Sequence, residues 1–458
     1  MSGRFDELRR EYPQFVYSGY SVSEHEDGLH LSFDFSIPGL CEFHPQTRLD
    51  GKSLDIFNSP VSDYAKRMVF FIGLAEAVSY WKCACPPVFR VECGEMSEDD
   101  KAFFKKLWFN GLGEFFYRNG IKTDIDSFVR IDAPEPKNIP QCEDYVSSGI
   151  EIVPVGGGKD SAVTTELLHP FSDKLRFFTV NDQPARTQCV LAGGYSEDKI
   201  IKIYRTIDPE LLKRNAEGFL NGHTPFSSVV AFISMYAGLI EGANDVILSN
   251  ESSANESNIG GENVNHQYSK SFEFERDFDE FRRRNFPQSA VYFSLLRPFC
   301  ELQIAKQFSQ YKQYHPIFRS CNRGSKKNIW CCECPKCLFV AIMLSPFLPP
   351  DELNSIFGCD MLAKTELETD FDGLCGFTGL KPFECVGTAD EVVLALTLTA
   401  EKYRKSGLGM PALLRRFCEK NTARADYSLL SGFNEENLIP KKFDECVKRM
   451  FEYVSAAD

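Results

Sequence analysis

Short apolar runs alternate with helical periods through the middle of the chain. The apolar runs predict strands, which lie at 151–155, 175–180, 199–204 and 245–249. The segments between them have the period of helices, and the longest of these is 226–241. Because strands that alternate with helices form parallel sheets covered on both faces, we predict an α/β fold with a doubly wound parallel sheet. Ligands of such sheets bind at the carboxyl ends of the strands.

The hydrophobic pattern changes on both sides of this central part. Before it, period-two alternation at 29–35 predicts a strand, and helical periods at 63–80 and 101–117 predict helices. After it, the pattern is mostly helical, with helices predicted at 351–357, 389–405 and 410–419. Pro-rich stretches at 132–140 and 345–350 accompany the two changes. We predict an N-terminal α+β region, a central region that contains the sheet, and a mostly helical C-terminal region, at 1–148, 149–345 and 346–458.

Composition excludes some classes of function. The 458 residues have a formal net charge of −14, so no overall basic field attracts nucleic acid. The N-terminus is polar, and the longest weakly polar run, near 228–240, is too short to span a bilayer. We expect a cytoplasmic protein with no nucleic-acid partner and no membrane partner, and of unknown oligomeric state. The 17 cysteines should then be reduced, which favours metal binding or catalysis over disulfides.

Three consecutive glycines, at 156–158, lie between the first central strand and a predicted helix. Such a loop directs several N–H groups into one concavity at a helix N-terminus, which is an anion site and most often a phosphate site. It is not a Walker loop, because Asp160 rather than Ser or Thr follows Lys159. It is not a dinucleotide fingerprint, because Ser161 replaces the third glycine. The alternative is a glycine turn without a ligand.

The loop resembles the Ser-Gly-Gly-x-Asp-Ser loop of the ATP pyrophosphatases, or PP-loop enzymes, with Gly156 in place of the first serine. That family cleaves ATP to AMP and pyrophosphate and adenylates a carbonyl or carboxylate oxygen. The resemblance implies a PP-loop fold and ATP as a ligand. The candidate ATP-binding residues, which include two polar residues at the end of the next strand, are Gly156, Gly157, Gly158, Lys159, Asp160, Ser161, Asn181 and Asp182.

A cluster of cysteines follows the predicted sheet. Cys331, Cys334 and Cys337 recur at every third residue, and Cys321 adds a fourth thiol from the preceding loop. Four thiolates suit tetrahedral zinc, and such a closed site is structural because it leaves no position for water. Cys332 is an alternative to Cys331 as a ligand. An iron–sulfur cluster and a reduced cluster without metal are the alternatives to zinc.

Polar residues are concentrated where the fourth central strand ends. One run begins there at 249–258 and a second follows at 265–271, so the segment is either a solvated loop or part of a site beside the glycine loop. Arg297 follows another strand-like run and can pair with a carboxylate or phosphate. In the string 381–388, Lys-Pro-Phe-Glu-Cys-Val-Gly-Thr, the cysteine is either activated by the nearby Lys381 or an inert buried thiol.

Together these segments resemble the UDP-N-acetylmuramoyl-L-alanyl-L-glutamate epimerases of peptidoglycan precursor synthesis. The resemblance rests on 154–161, 249–256, 265–271, 297–301, 320–323, 330–337 and 381–388. It implies ATP-dependent epimerisation of the terminal L-glutamate of UDP-N-acetylmuramoyl-L-Ala-L-Glu through an acyl-adenylate, with release of AMP and pyrophosphate. The UDP-linked muramoyl dipeptide is then the partner of the protein.

The resemblance also implies roles for single residues. Lys159 neutralises charge that develops during catalysis, and Asp160 acts beside it. The candidate Mg²⁺ ligands are Asp160, Asp182, Glu251 and Glu256. The candidate substrate contacts are Asn250, Glu251, Asn255, Glu256, Arg297, Arg323 and Lys381. The candidate bases for the two faces of the α-carbon are Cys385 with Cys300 or His266.

Two other classes share parts of this pattern. The 7-cyano-7-deazaguanine synthases resemble the chain in combining a PP-loop with a four-cysteine zinc knuckle. They are much shorter, however, and the acidic balance disfavours a tRNA partner. A non-enzymatic, zinc-stapled binding protein would not need Lys159, Asp160 and Ser161, which are all in register. The epimerase prediction is therefore preferred.

Overall fold

The computed structural model describes residues 2–139, 145, 147–181, 183–255, 268–378, 381–382, 384 and 386–456. Its strands are β1 (Gln14–His25), β2 (Gly28–Ile37), β3 (Cys41–Phe43), β4 (Gln46–Asp50), β5 (Val88–Val91), β6 (Arg130–Asp132), β7 (Ile150–Pro154), β8 (Leu175–Val180), β9 (Ile200–Arg205), β10 (Ala243–Leu248) and β11 (Val291–Ser294). Its α-helices are α1 (Ser2–Glu11), α2 (Ser62–Trp81), α3 (Glu98–Gly111), α4 (Gly113–Arg118), α5 (Lys159–Leu167), α6 (Pro184–Ala192), α7 (Pro209–Ala216), α8 (Phe226–Glu241), α9 (Phe272–Asn285), α10 (Glu301–Phe308), α11 (Pro335–Leu344), α12 (Pro350–Phe357), α13 (Glu368–Leu374), α14 (Ala389–Lys405), α15 (Ala412–Lys420), α16 (Ser428–Ser431) and α17 (Asp444–Ser455).

The strands join into one sheet in the order β11-β10-β7-β8-β9-β4-β2-β1-β5-β6, and β3 pairs with β2. The strands from β7 to β11 pair in parallel, as predicted. The sheet as a whole is mixed, because β4 pairs antiparallel with both β9 and β2. The sheet therefore runs from the N-terminal region into the central region, and the division of the chain into three regions stays a prediction.

Helices cover both faces of the parallel strands. Successive side chains of a strand point to opposite faces, so Ile152 and Phe178 join one core while Val153 and Phe177 join the other. The first core contains residues of α2, α8 and α9, and the second contains residues of α5, α10 and α11. This arrangement of a parallel-rich sheet between two layers, with a mostly helical C-terminal part, agrees with the predicted α/β class.

Most predicted elements match the structure closely, and one does not. The strand at 175–180 and the helices at 226–241 and 389–405 have the predicted bounds. The single helix predicted at 101–117 is wrong: α3 ends at Gly111 and α4 begins at Gly113, with Leu112 outside helical geometry between them. Two glycines this close weaken a helix. Among the described residues, no helix combines the length and apolar character needed to cross a membrane.

Candidate active site

A cavity of about 310 Å³ opens at the carboxyl edge of the parallel strands. Its wall includes Pro154 and Gly156 from the end of β7, and Ser249 and Asn250 from the end of β10. In the sheet β7 lies between β8, the strand that follows it in the chain, and β10, which comes after the chain has crossed to the other face. The cavity therefore lies at the topological switch point, where ligands of doubly wound sheets bind.

The glycine loop is shaped by contacts on two of its three residues. Gly157 has φ +81°, and a Cβ there would lie 2.9 Å from the carbonyl carbon of Ala185. A Cβ at Gly158 would lie 2.7 Å from Oγ of Ser320. At Gly156, which lines the cavity, no described residue other than its chain neighbours has an atom within 4 Å of the Cβ position. The loop thus has room at Gly156 for the serine side chain that the PP-loop pattern places there.

The cavity wall includes polar and apolar surfaces. Oγ of Ser249 is shielded from solvent and has no hydrogen-bond partner within the described residues. A buried hydroxyl is normally paired, so a polar ligand in the cavity would supply its partner. Phe226 and Val230, from the start of α8, contribute an apolar part of the wall. The wall therefore joins an apolar part to several polar and charged side chains that could orient a small molecule.

Lys159 lies behind the cavity wall. Its side chain is 2% exposed, and Nζ contacts Oδ1 of Asp160 and Oε2 of Glu301. Burial alone would lower the pKa of Lys159, but the two carboxylates outweigh it and raise the pKa above its usual value. The Asp160 side chain is 29% exposed and faces the cavity together with Ser161. The carboxylate is therefore accessible to a ligand while the ammonium is held in an ion pair.

A buried carboxylate connects three distant segments beside the loop. Oε1 of Glu391 accepts hydrogen bonds from the backbone N–H of Glu301 at 2.6 Å and from Oγ of Ser253 at 3.0 Å. Its Oε2 accepts from the backbone N–H of Thr388 at 2.7 Å, in the capping box of α14. Burial raises the pKa of Glu391. Glu391 thus joins the loop after β10, the start of α10 and the string 381–388.

Arg297 donates hydrogen bonds to the backbone at two positions beside the cavity, Glu251 and Lys270. Its side chain is fully buried, and Nε and Nη2 donate to Oε2 of Glu275 at 3.2 and 2.8 Å. Nη1 donates to the carbonyl of Glu251 at 2.6 Å, and Nη2 donates to the carbonyl of Lys270 at 2.8 Å. These contacts position Asn250 and Lys270 at the cavity. The Nε, Nη1 and Nη2 atoms of Arg297 all donate to protein atoms in this structure. A direct contact of Arg297 with substrate stays a prediction.

Three cations of the cavity wall were missed by the sequence analysis: Lys270, Arg319 and Lys336. Lys270 lies within the polar run 265–271, and Lys336 lies between two of the clustered cysteines, so the segments were recognised but not these side chains. Asn322 also lines the cavity, and its Nδ2 donates to Oε2 of Glu384. That contact brings the string 381–388 to the cavity.

The cysteine cluster forms beside the cavity. The four Sγ atoms lie within 4.8 Å of one another, so the cluster could hold a metal ion; they belong to Cys321, Cys331, Cys334 and Cys337. Cys332 has φ +55° and turns away, with Sγ 3.3 Å from the carbonyl oxygen of Phe357. The hydrogen bond between Cys334 and Cys337, whose Sγ atoms are 3.4 Å apart, is the largest factor that lowers the pKa of Cys334, to about 5. A thiolate is the form that binds metal.

Other predicted site residues have diverse surroundings. Asn181 is exposed with φ +61°, and its Oδ1 accepts from the backbone N–H of Arg205 at 2.9 Å. Arg323 is exposed on the cysteine loop and donates to the carbonyl of Glu333 at 3.1 Å. Cys300 is the N-cap of α10, and burial raises its pKa well above the usual thiol value.

The remaining predicted residues are only partly described. Lys381 is half-buried, and Asn255 ends a short 3₁₀ helix, Ser252–Asn255. Four predicted site residues lie outside the described residues: Asp182, Glu256, His266 and Cys385. Their roles stay predictions.

Comparison with known proteins identifies similar sequences along most of the chain. The family model of the MurL N-terminal domain matches residues 6–295, and that of the MurL C-terminal domain matches residues 317–428. A relative from Xanthomonas oryzae pv. oryzae is 36% identical over 340 residues, which cover 72% of this chain and 74% of the relative. Relatives from Micromonospora sp. and Salinispora tropica are 34% and 33% identical, and the matches cover 87% of this chain and 89% and 87% of the relatives. All three are named UDP-N-acetyl-alpha-D-muramoyl-L-alanyl-L-glutamate epimerase.

Proposed function

Because this chain belongs to the MurL family of UDP-N-acetyl-alpha-D-muramoyl-L-alanyl-L-glutamate epimerases, we propose that it inverts the terminal L-glutamate of UDP-N-acetylmuramoyl-L-Ala-L-Glu at the expense of ATP. The reaction would supply a D-glutamate-containing precursor of peptidoglycan. The observation that carries the ATP dependence is the cavity at the switch point, where the glycine loop and Asp160 meet the end of β10. A PP-loop fold for the central region accords with this geometry.

The chemistry requires the glutamate α-carboxylate to lose its charge. An α-hydrogen beside an ionised carboxylate is very weakly acidic, because the carbanion would adjoin a negative group. One carboxylate oxygen attacks the α-phosphorus of ATP, the bond from that phosphorus to the bridging oxygen breaks, and pyrophosphate leaves. A base then removes the α-proton, and a second group returns a proton to the opposite face. Water cleaves the acyl-adenylate and releases AMP and the inverted glutamate.

The described residues provide a binding surface for the phosphates. The N–H groups of 156–158 and the start of α5 at Lys159 are proposed to bind the β- and γ-phosphates. A carboxylate suits Mg²⁺, and Asp160 is the accessible one; the ion, when bound, would offset phosphate charge. Asn250 and Lys270 are proposed to contact substrate from the opposite strand end.

The two groups that exchange the α-proton are proposed from Cys385, His266 and Cys300. Burial and the nearby Glu391 carboxylate raise the pKa of Cys300, so it is held as a neutral thiol, the form that can return a proton. Cys385 and His266 are the candidates for proton removal. We also propose that the protein, as an enzyme acting on this substrate, is cytoplasmic and has no nucleic-acid or membrane partner.

We propose that the cysteine cluster holds one structural zinc ion. The donor set fits, since four thiols converge and a four-thiolate tetrahedral site is the arrangement that zinc prefers. The same loop continues into the cavity wall at Ser320 and Asn322, so the ion would stabilise that wall.

Cys337→Ser is expected to lower the metal content of the purified protein from about one zinc per chain to less than about 0.2, and to lower its thermal midpoint, because one of four ligands is removed. Cys332→Ser is the matched control and should retain the metal, since its Sγ points to Phe357. Elemental analysis of both variants measures this. Equal metal content in the two variants, or no metal in the wild type, would contradict the proposed site.

The proposed function is tested by incubating the protein with ATP, Mg²⁺ and UDP-N-acetylmuramoyl-L-Ala-L-Glu. We expect AMP and pyrophosphate to form in equal amounts, and only when the dipeptide substrate is present. ATP cleavage to ADP, or no nucleotide turnover with this substrate, would reject the proposal.

A further inference from the structure

We propose, on the basis of the function above, that Lys336 is the cation that binds the β- and γ-phosphates of ATP. The neighbouring cysteine cluster positions this lysine. Lys159, which the loop pattern favours for that role, instead stabilises the protein beneath the loop.

Lys159 is committed to two carboxylates. Its Nζ contacts Glu301 and Asp160, and the Glu301 side chain is 3% exposed. Withdrawing the ammonium toward a phosphate would take away the cation that contacts the buried Glu301 carboxylate and leave it only the weaker influence of Lys336, which is unfavourable. A phosphate in the cavity therefore needs another cation.

Lys336 has the required position. It is 9% exposed and lines the cavity with Ser320 and Asn322. It is the second residue of α11 and lies between Cys334 and Cys337, whose Sγ atoms are 3.4 Å apart. A metal ion bound by both thiols would constrain the backbone on both sides of the lysine. The ammonium is thereby pre-organised, which lowers the entropy cost of binding.

Lys336 also lies on the side of the cavity that the glycine loop borders. The backbone N–H of Arg319 donates to the carbonyl of Gly157 at 2.8 Å. A Cβ at Gly158 would meet Oγ of Ser320. The cysteine loop is therefore packed on the glycine loop, and Lys336 lines the same cavity as Gly156 and Gly158. Lys270 and Arg319 add positive charge to the same wall, where Asp160 is the one carboxylate among the described lining residues.

The test compares the binding of ATP, pyrophosphate and AMP to wild type and variants by calorimetry in the presence of Mg²⁺. Lys336→Met should weaken ATP and pyrophosphate binding about 10- to 100-fold, as loss of a charge-assisted contact does, and AMP binding less than about 3-fold. Lys336→Arg keeps the charge and should bind ATP within about 5-fold of wild type. Lys327→Met, an exposed lysine of the same loop, is the control and should bind like wild type.

The results separate this inference from the function on which it rests. A wild-type protein that binds no ATP rejects the proposed function. A wild type that binds ATP, with Lys336→Met within about 2-fold of it, rejects only the role of Lys336. Equal weakening of ATP and AMP by Lys336→Met, or failure of Lys336→Arg to restore ATP binding, would indicate structural damage and also overturn the inference. Metal content measured on each variant shows whether the cluster is intact.

Discussion

Asp160→Asn is expected to reduce substrate-dependent pyrophosphate release by about 100- to 1,000-fold, the cost of losing a charged group aimed at the reacting phosphates. The substitution keeps the size of the side chain but removes the one carboxylate that faces the cavity beside the glycine loop. Without it, Mg²⁺ loses a hard anionic ligand. Lys159 also loses one of its two counter-charges and retains Glu301.

A matched control distinguishes this effect from a general loss of activity. Asp173→Asn changes an exposed aspartate in the 3₁₀ helix His169–Lys174, which follows α5, the helix that contains Asp160. The kcat of the Asp173→Asn variant should remain within about 2-fold of wild type, since surface substitutions of this kind have small effects. Thermal midpoints of both variants show whether the fold is retained. Asp160→Asn with more than half of the wild-type kcat would reject the assigned phosphate site.

Arg297→Met is expected to lower the free energy of unfolding by about 3–5 kcal/mol, because it leaves Glu275 as a buried charge without a partner. The variant also lacks the hydrogen bonds from residue 297 to the backbone carbonyls of Glu251 and Lys270. Urea unfolding of the variant measures the loss. The double variant Arg297→Met/Glu275→Leu should recover part of it, since no unpaired charge remains.

Arg283→Met serves as the control for this prediction. Arg283 is an exposed residue of α9, the helix that carries Glu275, and it pairs with the buried Asp279, which also pairs with Arg282. Because Arg283 is exposed and Asp279 keeps Arg282 as a counter-charge, the variant should lose about 1 kcal/mol or less. If Arg297→Met were equally mild, the buried pair would not hold the loop as described.

The sequence predicts those helices whose ends are determined by capping residues close by in the chain. The helix 389–405 has a capping box at Thr388 and Glu391, and the helix 226–241 ends at Gly242 in the left-handed conformation. The start of the first helix and the end of the second can therefore be predicted from the residue types at those positions. The converging cysteines follow from their three-residue spacing in the same way, whereas the choice of Cys331 over Cys332 depends on the left-handed backbone at Cys332.

Contacts between distant segments are not visible in such patterns. The glycine motif suggests that Lys159 meets phosphate, but it does not reveal the buried contact of Lys159 with Glu301, which comes 142 residues later in the chain. Likewise, the sequence does not predict that Lys336, which lies between two cysteines, lines the cavity. That position depends on the packing of the cysteine loop on the glycine loop. The antiparallel pairing of β4 with β9, which makes one sheet of two regions, also depends on tertiary contacts alone.

The central claim is ATP-dependent inversion of the glutamate α-carbon, and the fate of its hydrogen in D₂O tests it most directly. The protein is incubated in D₂O with UDP-N-acetylmuramoyl-L-Ala-L-Glu and Mg²⁺, with and without ATP, and the product is analysed by mass spectrometry and chiral separation. We predict D-glutamate that carries one deuterium at the α-carbon, formed only with ATP. Inversion without ATP, or D-glutamate that retains the original hydrogen, would contradict the proposed reaction.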